Sequence, residues 1–90
     1  MPNTQLILYS KPGCHLCEGL AEKLAQIQLP IELDVRDITT QPDWWEQYRY
    51  EIPVLQLQSA QGLTTIPRFS PRASVARVEQ ILRRYVVEQT

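Results

Sequence analysis

The chain has 90 residues, 43% of them hydrophobic, a size that suits one small domain built around a single core. Nine basic residues against ten acidic ones give a net charge of −1, which excludes the strong positive field typical of nucleic-acid or anionic-membrane binding. The sequence after Met1 lacks the pattern of a signal peptide, and no apolar run could span a membrane. We therefore expect a single domain over residues 1–90, monomeric and cytoplasmic.

A short apolar run followed by turn residues opens the chain. Leu6-Ile7-Leu8-Tyr9 predicts a buried strand, and Ser10-Lys11-Pro12-Gly13 predicts the turn after it. An amphipathic helix of about three turns is then predicted up to Leu29-Pro30. The only two cysteines, Cys14 and Cys17, lie where this helix begins. Its apolar positions are Leu16, Leu20, Ala21, Leu24 and Ile27.

The middle of the chain predicts a strand and a short helix. Ile31, Leu33 and Val35 alternate with polar residues, which indicates a strand with one polar face. Pro42-Asp43-Trp44-Trp45 has Pro and an acid where a helix starts, and this helix should end near Tyr50. At least one of the two tryptophans should cover the core. The tyrosines expected to pack are Tyr9, Tyr48 and Tyr50.

The last third predicts a hairpin and a helix. Ile52-Pro53-Val54-Leu55-Gln56-Leu57 indicates a strand beginning at the proline, Ser59-Ala60-Gln61-Gly62 a turn, and residues 63–66 the return strand. The final helix should fray before Thr90, and its apolar face contains Val75, Val78, Leu82, Tyr85 and Val86. The resulting order, β-α-β-α-β-β-α, predicts an α/β fold with a four-stranded mixed sheet flanked by helices.

Cys14-His15-Leu16-Cys17 is the segment with the clearest chemistry. The free N–H groups and positive end of a helix favour a thiolate at Cys14, and a thiolate is the form that attacks a disulfide. Residues three apart share a helix face, so Cys17 can release a mixed disulfide formed on Cys14. A protonated His15 would favour the thiolate further; the opposing interpretation is a solvated side chain with little influence.

Metal binding is the alternative use of the same residues. Cys14, Cys17 and His15 could supply part of a zinc or iron–sulfur site. Adjacent side chains point in different directions on a helix, and the sequence has no second cluster of ligands. We therefore expect no metal site within one chain, while a cluster that bridges two chains stays open.

The sequence resembles the glutaredoxins of the thioredoxin-fold superfamily, most closely the small bacterial glutaredoxin-like proteins of unassigned function. The resemblance implies a thioredoxin fold in which a cis Ile52-Pro53 bond faces the CxxC motif. It also implies a thiol–disulfide oxidoreductase acting in electron transport, with Cys14 as nucleophile and Cys17 as resolving thiol. The matching segments, between residues 6 and 57, are Leu6 to Cys17, Val35-Arg36-Asp37-Ile38, Tyr48 and Glu51-Ile52-Pro53-Val54-Leu55.

Further roles near the cysteines follow from the same resemblance. The backbone of Ile52, before Pro53, would pair with the substrate chain, and Lys11 would stabilise the thiolate or bind a glutathione carboxylate. Arg68 and Arg72 flank the loop after the hairpin, and one of them is expected at the rim of the site. The arginines expected to form a solvated face are Arg77, Arg83 and Arg84.

The sequence also departs from the family pattern. Glutaredoxins usually have Pro-Tyr or a similar pair between the cysteines and a Gly-Gly element after the cis-proline strand, where this chain has His15-Leu16 and only Gly62. Typical thioredoxins have a tryptophan where Gly13 stands. No tightly bound cofactor is expected, and glutathione stays open as a co-substrate. The expected partners are a disulfide-containing protein or glutathione, and a reductase or glutathione as electron donor.

An alternative hypothesis comes from a different functional class. The chain would be a thioredoxin-fold binding module with little turnover, which recognises a partner protein or carries a bridging metal or iron–sulfur cluster. Bound metal after anaerobic purification, or partner capture by a Cys14→Ser variant, would distinguish it from the enzyme.

Overall fold

The computed structural model describes residues 4–59 and 62–88. Its elements follow the predicted order, so the α/β fold class and the sequence of strands and helices are confirmed. A 3-10 turn, Ile38–Thr40, precedes the second helix. The elements are β1 Thr4–Ser10, α1 His15–Gln26, β2 Ile31–Asp37, α2 Pro42–Tyr48, β3 Val54–Ser59, β4 Gly62–Thr65 and α3 Val75–Glu88.

The four strands form one mixed sheet in the order β2-β1-β3-β4. β1 is parallel to β2 and antiparallel to β3, and β3 is antiparallel to β4. The register places Tyr9, near the end of β1, opposite Val54 at the start of β3. Because the CxxC motif follows β1 and Pro53 precedes β3, this antiparallel pairing carries both to the same edge of the sheet.

Alternation along β1 directs its side chains into two separate cores. Leu6 and Leu8 pack on the face covered by α1 and α3, where Val78, Leu82 and Val86 are buried. The opposite face is covered by α2 and the 3-10 turn. The aromatic core on that face contains Ile7, Tyr9, Ile38, Trp44, Trp45, Tyr48, Ile52 and Val54.

α2 ends two residues earlier than the sequence predicts. The N–H groups of Glu51 and Ile52 both donate to the carbonyl of Tyr48, at 2.8 and 3.1 Å, and turn the chain towards Pro53. A proline disfavours helical backbone at the residue before it, so the helix could not have continued through Ile52. The prediction that Tyr50 packs is wrong, because this residue lies within the turn and its side chain is 83% exposed.

Two further predictions fall partly outside the described residues. The strands of the hairpin are present, but Ala60 and Gln61 of its predicted turn lie outside the described residues. The predicted fraying before Thr90 also falls outside them. Over residues 4–59 and 62–88, none of the helices has the length and apolar character needed to cross a membrane.

Candidate functional site

Cys14 occupies the N-cap position of α1. Its backbone is extended, with φ −85° and ψ 103°, and its Sγ accepts a hydrogen bond of 3.3 Å from the N–H of Cys17. The N–H of Cys14 donates to the carbonyl of Lys11 at 3.3 Å, which closes the turn before the helix. Gly13 has a φ of +81°, a value that other residues adopt only with strain. The turn therefore directs Cys14 Sγ to the amino end of the helix.

The two cysteines are joined by a disulfide and differ in exposure. Their Cα atoms are 5.3 Å apart. Cys17 is buried, at 2% exposed, while Cys14 is partly exposed. Because exchange requires access to the attacking sulfur, Cys14 is the better placed of the two to meet an external disulfide.

The basic side chains of Lys11 and His15 are both exposed. The His15 side chain is 95% exposed, and its Nδ1 lies 3.8 Å from Oε2 of Glu18. Lys11 Nζ lies 6.0 Å from the ring centre of Trp45 on α2. Solvent screens exposed charges of this kind, so neither residue supplies a buried charge to the sulfur atoms.

Pro53 lies immediately before β3, after a cis peptide bond to Ile52. The Ile52 N–H is already used by the carbonyl of Tyr48. Among the described residues no donor bonds the Ile52 carbonyl. Of the two backbone groups of Ile52, the carbonyl is therefore the one without a hydrogen-bond partner among the described residues.

The aromatic core beneath α2 holds the segment that leads to Ile52. The rings of Tyr9 and Tyr48 stack with their centres 4.2 Å apart, and burial raises the pKa of Tyr48. The Arg36 guanidinium lies 5.9 Å from the Tyr9 ring centre. Its hydrogen bond to Asp34, at 2.9 Å, raises the pKa of Arg36. The stacking of Tyr48 on Tyr9 packs α2 against β1, next to the segment that leads to Pro53.

A groove of about 190 Å³ lies between the first turns of α1, Pro53 and loop 66–71. We call it the Phe69 groove. Arg68 lines it and donates from Nη1 to the carbonyl of Glu51 at 3.2 Å. Arg72 does not line the groove; its N–H donates to Ser70 Oγ at 3.2 Å. The main lining residues are Leu16, Leu20, Pro53, Ile66, Arg68 and Phe69.

The sequence matches the family described as Glutaredoxin-like domain (DUF836) over residues 5–83. The chain belongs to this glutaredoxin-like family. The predicted family resemblance is therefore confirmed. With its CxxC-spaced pair, this glutaredoxin-like protein has the residues needed for a redox role.

Two solved structures are similar to this glutaredoxin-like protein. XcR50 from X. campestris, a structural genomics target, has a TM-score of 0.61 and 25% sequence identity, over 88% of this chain and 96% of its own. Thioredoxin 1 from Thermosipho africanus has a TM-score of 0.56 and 18% sequence identity, over 93% of this chain and 96% of its own. The second likeness supports the thioredoxin fold. No curated protein gave a significant match.

Sequence reasoning missed three residues of the site. Leu16 was expected on the buried helix face, yet it is 51% exposed and lines the Phe69 groove. Glu18, the partner of His15, sits at the i+3 spacing that signals such a pair. Phe69 is a lone aromatic residue between Pro67 and Pro71, and only the folded hairpin brings it to the groove. Within the described ranges, no cluster of three or more His, Cys, Asp or Glu side chains could hold a metal ion.

Proposed function

We propose that this protein is a thiol–disulfide oxidoreductase that reduces protein or glutathione mixed disulfides with Cys14 and Cys17. One observation carries the proposal: a partly exposed sulfur caps α1 and is disulfide-bonded to a buried sulfur one turn later. The N–H of Cys17 points at Cys14 Sγ and would stabilise negative charge there. Membership of the glutaredoxin-like family supports the same activity.

The reaction has two exchange steps. The Cys14 thiolate attacks one sulfur of the substrate disulfide, forms a mixed disulfide with it and expels the other sulfur as a thiolate. The Cys17 thiolate then attacks Cys14 Sγ, and the second substrate sulfur leaves as a thiolate. Two electrons have passed from the dithiol to the substrate, and the protein is left as the Cys14–Cys17 disulfide. A thiol or dithiol reductant, such as glutathione or a reductase, must restore the dithiol.

Groups around the cysteines would position the substrate in this scheme. The Ile52 carbonyl is available to pair with a substrate strand beside Pro53. Lys11 would act at the outer edge of the site, because its ammonium group lies over Trp45. The cytoplasm, where thiols are kept reduced, stays the predicted location.

Trapping the intermediate tests the proposal. In Cys17→Ser the first exchange proceeds and the second cannot, so a disulfide substrate should remain attached to Cys14. We expect intact mass spectrometry of Cys17→Ser, mixed with glutathione disulfide or an oxidised peptide, to show one adduct that dithiothreitol removes. The native protein should turn over the same substrate, and this turnover should be lost in Cys14→Ser.

Cys14→Ser is the matched control. Its remaining cysteine is the buried Cys17, so this variant should form little adduct. Equal trapping by the two variants would contradict the assigned roles. Partner capture that survives in Cys14→Ser, with no adduct on Cys17→Ser, would instead favour the binding-module hypothesis.

A further inference from the structure

The Phe69 groove has apolar walls and a charged lining of one sign. Leu16, Leu20 and Phe69 form much of its apolar wall. No acidic residue is found among its described lining residues. The whole chain has a net charge of −1, so the excess of basic over acidic residues is particular to the groove. The lining residues with basic side chains are His15, Lys23 and Arg68.

Arg68 is the basic residue best placed to meet a ligand. His15 lies beside Glu18, and Lys23 Nζ donates to the carbonyl of Pro71 at 2.9 Å. Arg68 is exposed and uses Nη1 for the carbonyl of Glu51, and no carboxylate of the described residues forms an ion pair with it. A guanidinium has five N–H donors, so donors remain for an external carboxylate.

The size of the groove and the exposure of its wall indicate what it holds. Its volume of about 190 Å³ is below the roughly 300–1,000 Å³ of sites that enclose whole small molecules. One large side chain of a longer segment suits such a space better. Leu16 is half exposed, at 51%, and an apolar side chain on the segment would cover it. Glutathione carries carboxylates but no large apolar side chain, so it would leave this wall uncovered.

We infer, on the basis of the proposed function, that the substrate is an extended protein segment with an apolar and an acidic residue next to its disulfide cysteine. The apolar side chain occupies the Phe69 groove, and the carboxylate binds Arg68. The Ile52 carbonyl beside Pro53 accepts a backbone hydrogen bond from the segment, which sets its direction across the site.

Three synthetic peptides test this inference. Each has one cysteine, flanked by Phe and Glu, by Phe and Lys, or by Ser and Glu, and each is supplied as its disulfide-linked dimer. The reduced protein becomes the disulfide form, and each dimer yields two peptide thiols, which are counted by chromatography. Rates are divided by those of dithiothreitol on the same dimer, which removes differences in intrinsic reactivity.

We expect the Phe–Glu dimer to react about fivefold faster than the Phe–Lys dimer, the factor that a good exposed ion pair supplies. It should also react at least about fivefold faster than the Ser–Glu dimer, because Ser leaves the apolar wall of the groove uncovered. Added salt should reduce its advantage over Phe–Lys. Arg68→Glu should reverse the order of the Phe–Glu and Phe–Lys dimers. Arg84→Glu, the same change on the exposed surface of α3 and outside the groove, should leave the order intact.

The possible failures are distinct. Equal normalised rates for all three dimers, or no reversal by Arg68→Glu, would overturn the inference and leave the oxidoreductase intact. Faster normalised reduction of glutathione disulfide than of every peptide would also overturn it, in favour of a small-molecule substrate. If the native protein reduces no dimer and no glutathione disulfide, the proposed function fails together with the inference.

Discussion

At the residue scale, the site depends on a turn that gives two chemically identical side chains different surroundings. Cys14 caps α1 and is partly exposed, whereas Cys17 is inside the first turn and 2% exposed. Gly13, with its φ of +81°, is the residue that allows the chain to enter the helix in this way. The proposed roles of Cys14 as nucleophile and Cys17 as resolving thiol rest on this asymmetry.

Two exposed ionisable side chains, His15 and Glu18, lie in the first turn of α1 next to Cys14. His15→Ala removes a potential cation, so we expect alkylation of Cys14 in the reduced protein to reach its pH midpoint at a higher value. Glu18→Gln removes the neighbouring anion and should lower that midpoint. Both shifts should stay below about one pH unit, because exposed charges interact weakly. Iodoacetamide alkylation rates measured against pH provide the check, and an unchanged midpoint in His15→Ala would rule out its influence.

Two glycines near the cysteines should respond oppositely to alanine. In Gly13→Ala the new Cβ meets nothing within 4 Å, yet the positive φ makes the variant less stable by about 1–2 kcal/mol. Gly19→Ala also has room for the Cβ and lies inside α1, so it should gain about 0.5–1 kcal/mol. Urea unfolding of the oxidised proteins measures both changes. A Gly13→Ala variant as stable as the native protein would contradict the strained turn.

At the element scale, the connection from β2 to α2 holds the aromatic core in place. The 3-10 turn Ile38–Thr40 contains the fully buried Ile38 and leads directly into α2. Trp44, Trp45 and Tyr48 of α2 then pack around Tyr9. Because the residues after α2 lead to Pro53, the stability of this connection bears on the position of Pro53.

Asp37 caps the 3-10 turn and makes its stability depend on pH. Hydrogen bonds from the Thr39 hydroxyl and the Thr39 N–H lower the pKa of Asp37 below its ordinary 3.8. The folded state favours the ionised form, so this stabilisation is present above pH 3.8 and is lost as pH falls through the folded-state pKa. Asp37→Asn should therefore lose less stability than the native protein on acidification.

Urea unfolding at about pH 7 and about pH 2.5 measures this difference. Glu32→Gln, which removes an exposed carboxylate from β2, is the matched control. It should retain the acid sensitivity of the native protein. Identical losses in Asp37→Asn and the native protein would show that the Asp37 cap contributes nothing to acid sensitivity.

At the scale of the whole molecule, local patterns predicted the elements, and long-range contacts built the site. Apolar periodicity was enough for β1 and α3, whose buried residues are the ones that the pattern selects. In α1 it selected the buried Leu24, but it also selected the exposed Leu16 and passed over the buried Cys17. The position of the cysteines at a helix start was also readable, because it depends on adjacent residues. The expected place of Pro53 came from the family resemblance, since it depends on the pairing of β1 with β3.

The Phe69 groove could not be predicted from the sequence. Its walls come from α1, β3 and loop 66–71, which are distant in the chain and meet only after the hairpin pairs with β1. The same limit explains the wrong prediction for Tyr50. An aromatic side chain usually packs, but the turn after α2 directs this one to solvent. The substrate preference inferred above rests on this tertiary arrangement.

The central claim is that Cys14 and Cys17 form a reversible redox pair, and the reduction potential of that pair tests it most directly. The purified protein is equilibrated in glutathione buffers of different ratio, and its free thiols are counted after acid quenching. We predict a single two-electron transition between about −200 and −270 mV, the range of glutaredoxins and thioredoxin. Two free thiols at every ratio, with no intramolecular disulfide, would contradict the dithiol mechanism.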